Sequence, residues 1–428
     1  MLAACGKATT AEPDQSTPPD PKLAGNPNYT TPVNYKTECL GRHLFDVPAN
    51  LQWAMVDPKT PYDPGSQFTK NIATQNDIWF YGRLQVNATP PTTIKTFDAA
   101  KLDLRLGDKL FVDSLKKDVE TGKEMSQEFK TYLLNDSKIQ QWRQNIQFDQ
   151  SNPMPGASDD DIKKAVIKNI MGAIARNEEE INKTKASIAE FREVDLKLPD
   201  SYARTRGDNL VAYLWRDKRV WRFATRKYEG ETYDHMAQEF MDTLRHFRPR
   251  TLYEIPTEPG VCVPYGFFSD DGHAWYQIQN TLRLADAPNV TYTIGLGKNG
   301  DEPKPTGFDV WAASFMQGSG AAGMILNRQV TQHIKPRTIK IGAMQGILGG
   351  FIIKPDLQKG DDQEQSYHLQ AGYNGEANSD FFPFVTLQMR SYTEGADPSL
   401  TQPAPPFQQS ESRLLALAKS VRLRPVVK

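Results

Sequence analysis

Only three cysteines, Cys5, Cys39 and Cys262, occur in this sequence, too few for a disulfide scaffold and without the CxxC spacing of a zinc or redox site. No window approaches the eighteen or so consecutive apolar residues of a membrane-spanning helix, so any meeting with a membrane would need an anchor. An excess of one charge is missing too. Lys and Arg total 51 against 52 Asp and Glu, which leaves no long-range field to draw the chain to nucleic acid or anionic lipid. His43, His235, His246, His273, His333 and His368 stand without HxH or HExxH spacing, so no metal or cofactor is expected. What is present is ordinary. With 38% hydrophobic and 24% charged residues the chain should be globular, and its 428 residues favour two or three domains.

The opening MLAACG is the exception to this plainness. Leu2-Ala3-Ala4-Cys5 resembles the processing site of bacterial lipoproteins, where the cysteine thiol receives a diacylglycerol. The charged and apolar regions of a signal peptide are not in front of it, so residues 1–35 are read as a truncated signal remnant followed by a tether. Pro13, Pro18, Pro19, Pro21, Pro27 and Pro32 lie among Thr, Asp, Asn and Gly with almost nothing to bury. A flexible chain of that length spans roughly 30 Å, enough to hold a domain clear of a lipid surface. Cys5 is therefore the expected lipidation site. Gly6 after it resembles the pattern of lipoproteins sent to the outer membrane.

Strand signals begin at TECLGRHLFDVPANLQWAMV and continue in DIWFYGRLQV (77–86) and KLDLRLGDKL (101–110), the last alternating over its first half. From about 111 to 195 the texture turns helical, broken once at SNPMPGAS (151–158). Ser158 and the three aspartates after it favour a helix start, and Ile162, Val166, Ile170, Ile174, Ile181 and Ile188 mark a packing face. LVAYLWRDKRVWRFATRKY (210–228) reads as a hairpin turning near Asp217 and Lys218, and Met236, Phe240, Leu244 and Phe247 as a helix stopped at Arg248-Pro249. A cysteine and a glycine precede aromatic and acidic residues at both 39–46 and 259–275, and a helix running into Arg-Pro closes both halves. The expected fold class is thus α+β: two related domains, 36–255 and 256–428, with mainly antiparallel sheets, packed helices and a helical insertion at about 111–195 in the first.

Catalytic patterns are mostly wanting. Gly295 to Gly300 spells GxGxxG after a strand, but Pro303 and Pro305 forbid the helix that would present amides to a pyrophosphate, leaving a glycine-rich turn. Ser319 in QGSGAAG lacks the nucleophile-elbow pattern and a nearby histidine. His333-Ile334-Lys335 begins like a phospholipase D motif, yet Lys340 stands where its aspartate belongs. Asp270, Asp271 and His273 could do acid-base work, although Asp-Asp-Gly is also common turn chemistry. Cys39 and Cys262 could pair in an oxidising compartment or stay as separate buried thiols.

TECLGRHLFDVP, CVPYGFFSDDG and HLQAGYNGEANSDFFPFVTLQMRS (368–391) resemble the N- and C-terminal domains of the type VI secretion lipase-immunity proteins, the group antagonising the fourth class of lipase effectors. The resemblance implies a periplasmic two-domain lipoprotein that grips a cognate phospholipase effector and obstructs its active site, with no catalysis of its own. It identifies no partner-binding residue. Glycine-rich loops at 295–300, 317–323 and 346–350 are candidate contact surfaces because loops carry recognition, although Gly349-Gly350 lead into FIIKP and could equally shape a strand entry. Two rivals are an envelope adaptor lipoprotein binding another secretion component, and a hydrolase assembled around Asp270, Asp271 and His273.

Overall fold

A computed structural model of the chain describes residues 25–53, 78–135, 137, 139, 158–300, 330–353, 366–394 and 400–426. Cys5, most of the tether, the break at 151–157, the loop at 317–323 and Ser319 lie outside the described residues. The fold is α+β with mainly antiparallel sheets, as expected. Packing groups the chain into two compact units, residues up to 90 together with those from 243 onward, and residues 91–242. This grouping differs from the serial division at 255 and 256 read from the sequence.

The first unit opens with β1 (Tyr35–Leu40) and β2 (His43–Pro48), a hairpin that turns at Gly41 with φ +59°. A side chain at Gly41 would strike the Tyr276 ring at 2.6 Å, so the turn needs glycine for space as well as conformation. β3 (Leu51–Trp53) follows, and β4 (Ile78–Tyr81) and β5 (Leu84–Ala88) lie where DIWFYGRLQV signals strand.

The second unit begins with two long helices. In α1 (Ile94–Leu133) the Thr93 hydroxyl caps the N-terminus by accepting from the Thr96 amide, and in α2 (Asp159–Glu190) Ser158 does the same for Asp161. Val166, Ile170 and Ile174 of α2 are buried against Phe129, Tyr132 and Leu133 of α1, so the isoleucine stripe is a packing face. Asn177 ties the helices by donating to the Gly122 carbonyl at 2.6 Å and the Ser126 hydroxyl at 2.8 Å. One expectation is corrected here. Residues 101–110 are helical, and the helical region starts at Ile94 rather than near 111. Alternation over half a decapeptide is a weak signal against a capped 40-residue helix that propagates cooperatively through it.

A four-stranded antiparallel sheet follows in the order β6 (Glu193–Val194), β7 (Ser201–Arg206), β8 (Asn209–Arg216) and β9 (Arg219–Arg226). β8 and β9 form the expected hairpin. Asp217 and Lys218 both adopt left-handed backbone, φ +46° and +60°, the conformation a type I′ turn requires. Leu210, Ala212, Leu214, Trp221 and Phe223 are buried on alternate positions of the two strands. α3 (Tyr233–Arg245) buries Met236, Phe240 and Leu244 but stops before the expected Arg248-Pro249, because β10 (Phe247–Pro249) pairs as a strand.

The rest of the first unit is mostly sheet. β11 (Gly260–Val263) and β12 (Gly266–Ser269) form a hairpin beside β10. β13 (Tyr276–Leu284), β14 (Ala287–Gly297), β15 (Val330–Ile341), β16 (Met344–Ile353), β17 (Ser366–Tyr373) and β18 (Phe384–Ser391) build the large sheet. Its order in this unit is β15-β16-β17-β18-β14-β13-β4-β5, with β3 on the same edge of β13 as β4. α4 (Phe407–Ser420) packs Leu414, Leu417 and Ala418 inward, and β19 (Arg422–Leu423) joins β2. Among the described residues no helix is long and apolar enough to cross a membrane.

Two of the candidate loops prove to be strand. Gly346 to Gly350 lies within β16, where a side chain on Gly350 would sit 2.1 Å from the His368 carbonyl oxygen. Gly295 and Gly297 lie within β14, where a side chain on Gly297 would sit 2.4 Å from the Phe384 ring, and only residues 298–300 of that stretch leave the sheet. These glycines serve close strand and ring approach rather than an exposed turn.

Candidate functional site

The most heavily cross-linked part of the first unit is the junction of the β1–β2 and β11–β12 hairpins. Cys39 and Cys262, wholly buried, form a disulfide with Cα atoms 5.9 Å apart, and Gly41 and Cys262 exchange backbone hydrogen bonds at 2.8 Å beside it. Arg250, also buried, pairs with the Glu38 carboxylate and donates to the carbonyls of Cys39 at 2.9 Å and Val263 at 3.2 Å. Glu38 accepts further from the Tyr253 amide at 2.8 Å. A buried charge is tolerable only when paired and fully hydrogen-bonded, as this one is. Arg424 reaches the carbonyls of Glu258 at 2.8 Å and Gly260 at 2.7 Å, and burial, then repulsion from Arg42, pushes its guanidinium down to about 10.

On this frame sits the turn from Asp270 to Trp275. Arg42, in the β1–β2 turn, grips Asp270 with two parallel hydrogen bonds of 2.9 Å and adds a third to the Ala274 carbonyl at 3.0 Å. Burial lowers the Arg42 pKa, but the bonds and charge of Asp270 outweigh it, so the net shift is upward. The Tyr81 hydroxyl donates to the same carboxylate at 3.3 Å, and burial followed by the Asp270 charge raises its pKa. The Gly272 amide completes the turn by donating to Asp270 at 2.8 Å. These four hydrogen bonds fill the acceptor sites of the Asp270 carboxylate.

A second turn, 374–383, meets the first. His273 shares a hydrogen bond of 2.7 Å with Asp380, whose other oxygen pairs with Lys298, and Lys298 also donates to the His273 carbonyl at 3.1 Å. His43 lies beneath, fully buried, its ring bonded to the Phe381 backbone and its pKa pushed down to about 4 by burial. The three stretches that carry the family resemblance therefore converge here. TECLGRHLFDVP supplies Arg42 and His43, the second stretch Asp270, and the third Asp380 and Phe381.

What this frame presents to solvent is aromatic. Phe381 is 50% exposed and Trp275 39%, the latter 6.5 Å from the Phe80 ring, with the His273 side chain 62% exposed between charged neighbours. Large aromatics on rigid turns are the material of interaction hot spots. A His-Asp pair also resembles half of a hydrolytic triad, but among the described residues no hydroxyl or thiol hydrogen-bonds to the His273 ring. Ser269, the nearest serine in sequence, turns instead toward His246 at 3.4 Å. The suspected trio is thus split: Asp270 is structural, Asp271 caps the His273 amide at 2.9 Å, and His273 pairs with Asp380.

Sequence reading marked the Asp-Asp-Gly-His turn and the 295–300 stretch, which supplies Lys298. It missed Arg42, Asp380 and Trp275, whose only sequence signal is membership of the resembling stretches. Elsewhere, His235, Glu231 and Glu239 bring possible metal ligands within 4.8 Å of one another, and the imidazole already shares a hydrogen bond of 2.9 Å with Glu231. His368 is buried and neutral, held down to about 4 by burial and then by Arg390.

Residues 254–426 match the family model of the Tle cognate immunity protein 4 C-terminal domain. A solved structure of a Tle4-Tli4 complex aligns at 15% identity over 92% of this chain and 99% of that one, with a TM-score of 0.51. The apo structure of the immunity protein TplEi, of the type VI secretion system of Pseudomonas aeruginosa, aligns at 14% identity over 92% of this chain and 98% of its own, with a TM-score of 0.50. At such identity these two carry the fold alone. No curated protein matches the chain by sequence. The resemblance to the type VI lipase-immunity proteins stands on the family match.

Proposed function

We propose that the protein is a type VI immunity protein that binds a cognate phospholipase effector in the periplasm and blocks its active site, without catalysis of its own. The observation that carries this reading is the match of residues 254–426 to the immunity C-terminal domain. The site described above falls largely within that match and is built for contact, since its ionisable groups are engaged with one another while its aromatic groups face out. Inhibition needs only binding that excludes substrate.

Export is part of the proposal. A fully buried disulfide belongs to an oxidising compartment, which supports a periplasmic location. Lipidation at Cys5, with the proline-rich tether beyond it, would station the protein at the outer membrane, where incoming lipase meets its substrate.

The test is a titration of the purified chain into a type VI phospholipase of the class this family antagonises, following binding and phospholipid hydrolysis together. Stoichiometric loss of hydrolysis supports the reading. Full hydrolysis with no binding to any lipase of that class overturns it.

A further inference from the structure

Arg42 and Arg424 stand opposite each other at the end of a strand pair, and both are buried, at 6 and 2% exposure. The register of β2 with β19 sets Leu423 against His43, and the Arg424 amide donates to the Arg42 carbonyl at 2.9 Å, so the two arginines are the next pair along the ladder. Residues directly opposite in an antiparallel ladder project to the same face with Cβ atoms about 5 Å apart, a placement that like charges oppose. Repulsion from Arg42 is, after burial, what lowers the Arg424 pKa.

Only one of these two cations has a counter-charge. Arg42 holds Asp270, whose carboxylate already accepts four hydrogen bonds. Arg424 has carbonyl partners alone, those of Pro256, Glu258 and Gly260, and it reaches all three through its terminal nitrogens. The nearby acids are committed to other cations: Glu38 to Arg250, Glu258 to Arg248 and Asp380 to Lys298. A guanidinium carries five N–H donors, and one on each arginine is unused. Among the described residues the Nε–H groups of Arg42 and Arg424 have no acceptor, although both atoms are buried.

A buried cation without a counter-charge is costly, and so is a buried charged donor without an acceptor. One small anion between the facing side chains would relieve both. Water could accept from the same donors, but it would leave the charge unbalanced. Burial also limits the ligand's size, because side chains so enclosed admit a monatomic ion more readily than a partner's carboxylate or a lipid phosphate.

We propose that the chain binds one chloride ion, or a monovalent anion of similar size, between the Nε–H groups of Arg42 and Arg424. The ion then pins β19 to the β1–β2 hairpin and, through Arg42, steadies the turn held by Asp270.

The experiment treats the unaltered chain in two ways. Its melting temperature is followed at constant ionic strength while sodium gluconate is exchanged for sodium chloride, and crystals grown in sodium bromide are measured for anomalous scattering at the bromine edge. The expected results are a melting temperature that climbs by about 2–4 °C and saturates with chloride, and a bromide peak within hydrogen-bond reach of both Nε atoms. Arg424→Gln should lose the chloride response. Should that variant fail to fold, the anomalous map of the unaltered chain still decides. Water in place of bromide overturns the proposal, as does a chloride response that Arg424→Gln keeps in full. A bromide peak without a saturating rise in melting temperature would mean an adventitious ion only, and overturns it too.

Discussion

The two units are held together by different physics. The first unit ties distant chain segments with a disulfide spanning 223 residues, a buried Glu38–Arg250 pair and arginines capping carbonyls. The second unit relies on helix caps, an isoleucine stripe and one asparagine bridging two helices. The first arrangement concentrates its stability in a few indispensable groups and fixes the turns resting on them. The second spreads stability over many small apolar contacts, each of which can be weakened without collapse. This contrast can be broken by removing either kind of support.

The largest effect should follow Cys39→Ser with Cys262→Ser. Releasing so long a loop raises the entropy of the unfolded chain, a loss of about 5 kcal/mol on the loop-closure account. The first unit should melt markedly lower while amide exchange in α2 holds. Equal loosening of both units would mean they do not unfold separately, and the contrast would dissolve.

Next comes Arg250→Ala, which strands the Glu38 carboxylate in the core and should cost about 3–5 kcal/mol. Replacing both partners, Glu38→Gln with Arg250→Met, should recover much of that loss. Denaturant melts of the three variants test this, and no recovery in the double variant would show that the carbonyl contacts of Arg250 matter more than the pair. In the second unit, Ile170→Ala should cost about 3 kcal/mol by leaving a cavity, confined to α1 and α2 in hydrogen exchange.

Local signals in the sequence predicted local features well. Ser158 as a cap, the isoleucine stripe of α2 and the hairpin turning at Asp217 and Lys218 depend on neighbours within a few residues, and all are present. Residues 101–110 misled because their leucines alternate in part, while the state of that segment is set by the whole helix. At Gly346 to Gly350 the strand alternative holds over the loop: glycines that look like loop chemistry are there so that strands can approach. The candidate site was half legible. Asp270 to Gly272 reads as a turn from sequence, but its anchor Arg42 is 228 residues away and could be found only by folding the chain. His273 and Asp380 meet across 107 residues, so neither announces the other.

Acid offers the gentlest way to separate the units. His43 and His368, both in the first unit, are buried and neutral with pKa values near 4, against 6.5 for the free side chain. The unfolded chain therefore binds protons more readily over that range, and folding stability is fully present above pH 6.5 and drains away as pH falls toward 4. By pH 5 each histidine should have cost about 2 kcal/mol, the equivalent of one and a half pKa units. Burial raises the pKa values of the paired carboxylates Asp46 and Asp286, but hydrogen bonds from Arg422, Thr31 and Thr37 to the first, and from Asn50 and Arg413 to the second, outweigh it and hold both below the ordinary 3.8, so they lose their contribution only in more acid solution. The second unit has His235, exposed at the helix surface, in place of a buried histidine among its described residues. Between pH 6.5 and 5 amide exchange should accelerate in β2 and β17 before it does in α2. His43→Gln should shrink that difference. A first unit indifferent to pH across this window would mean that water reaches both imidazoles, and that the frame beneath the Trp275 and Phe381 face is looser than its network of bonds implies.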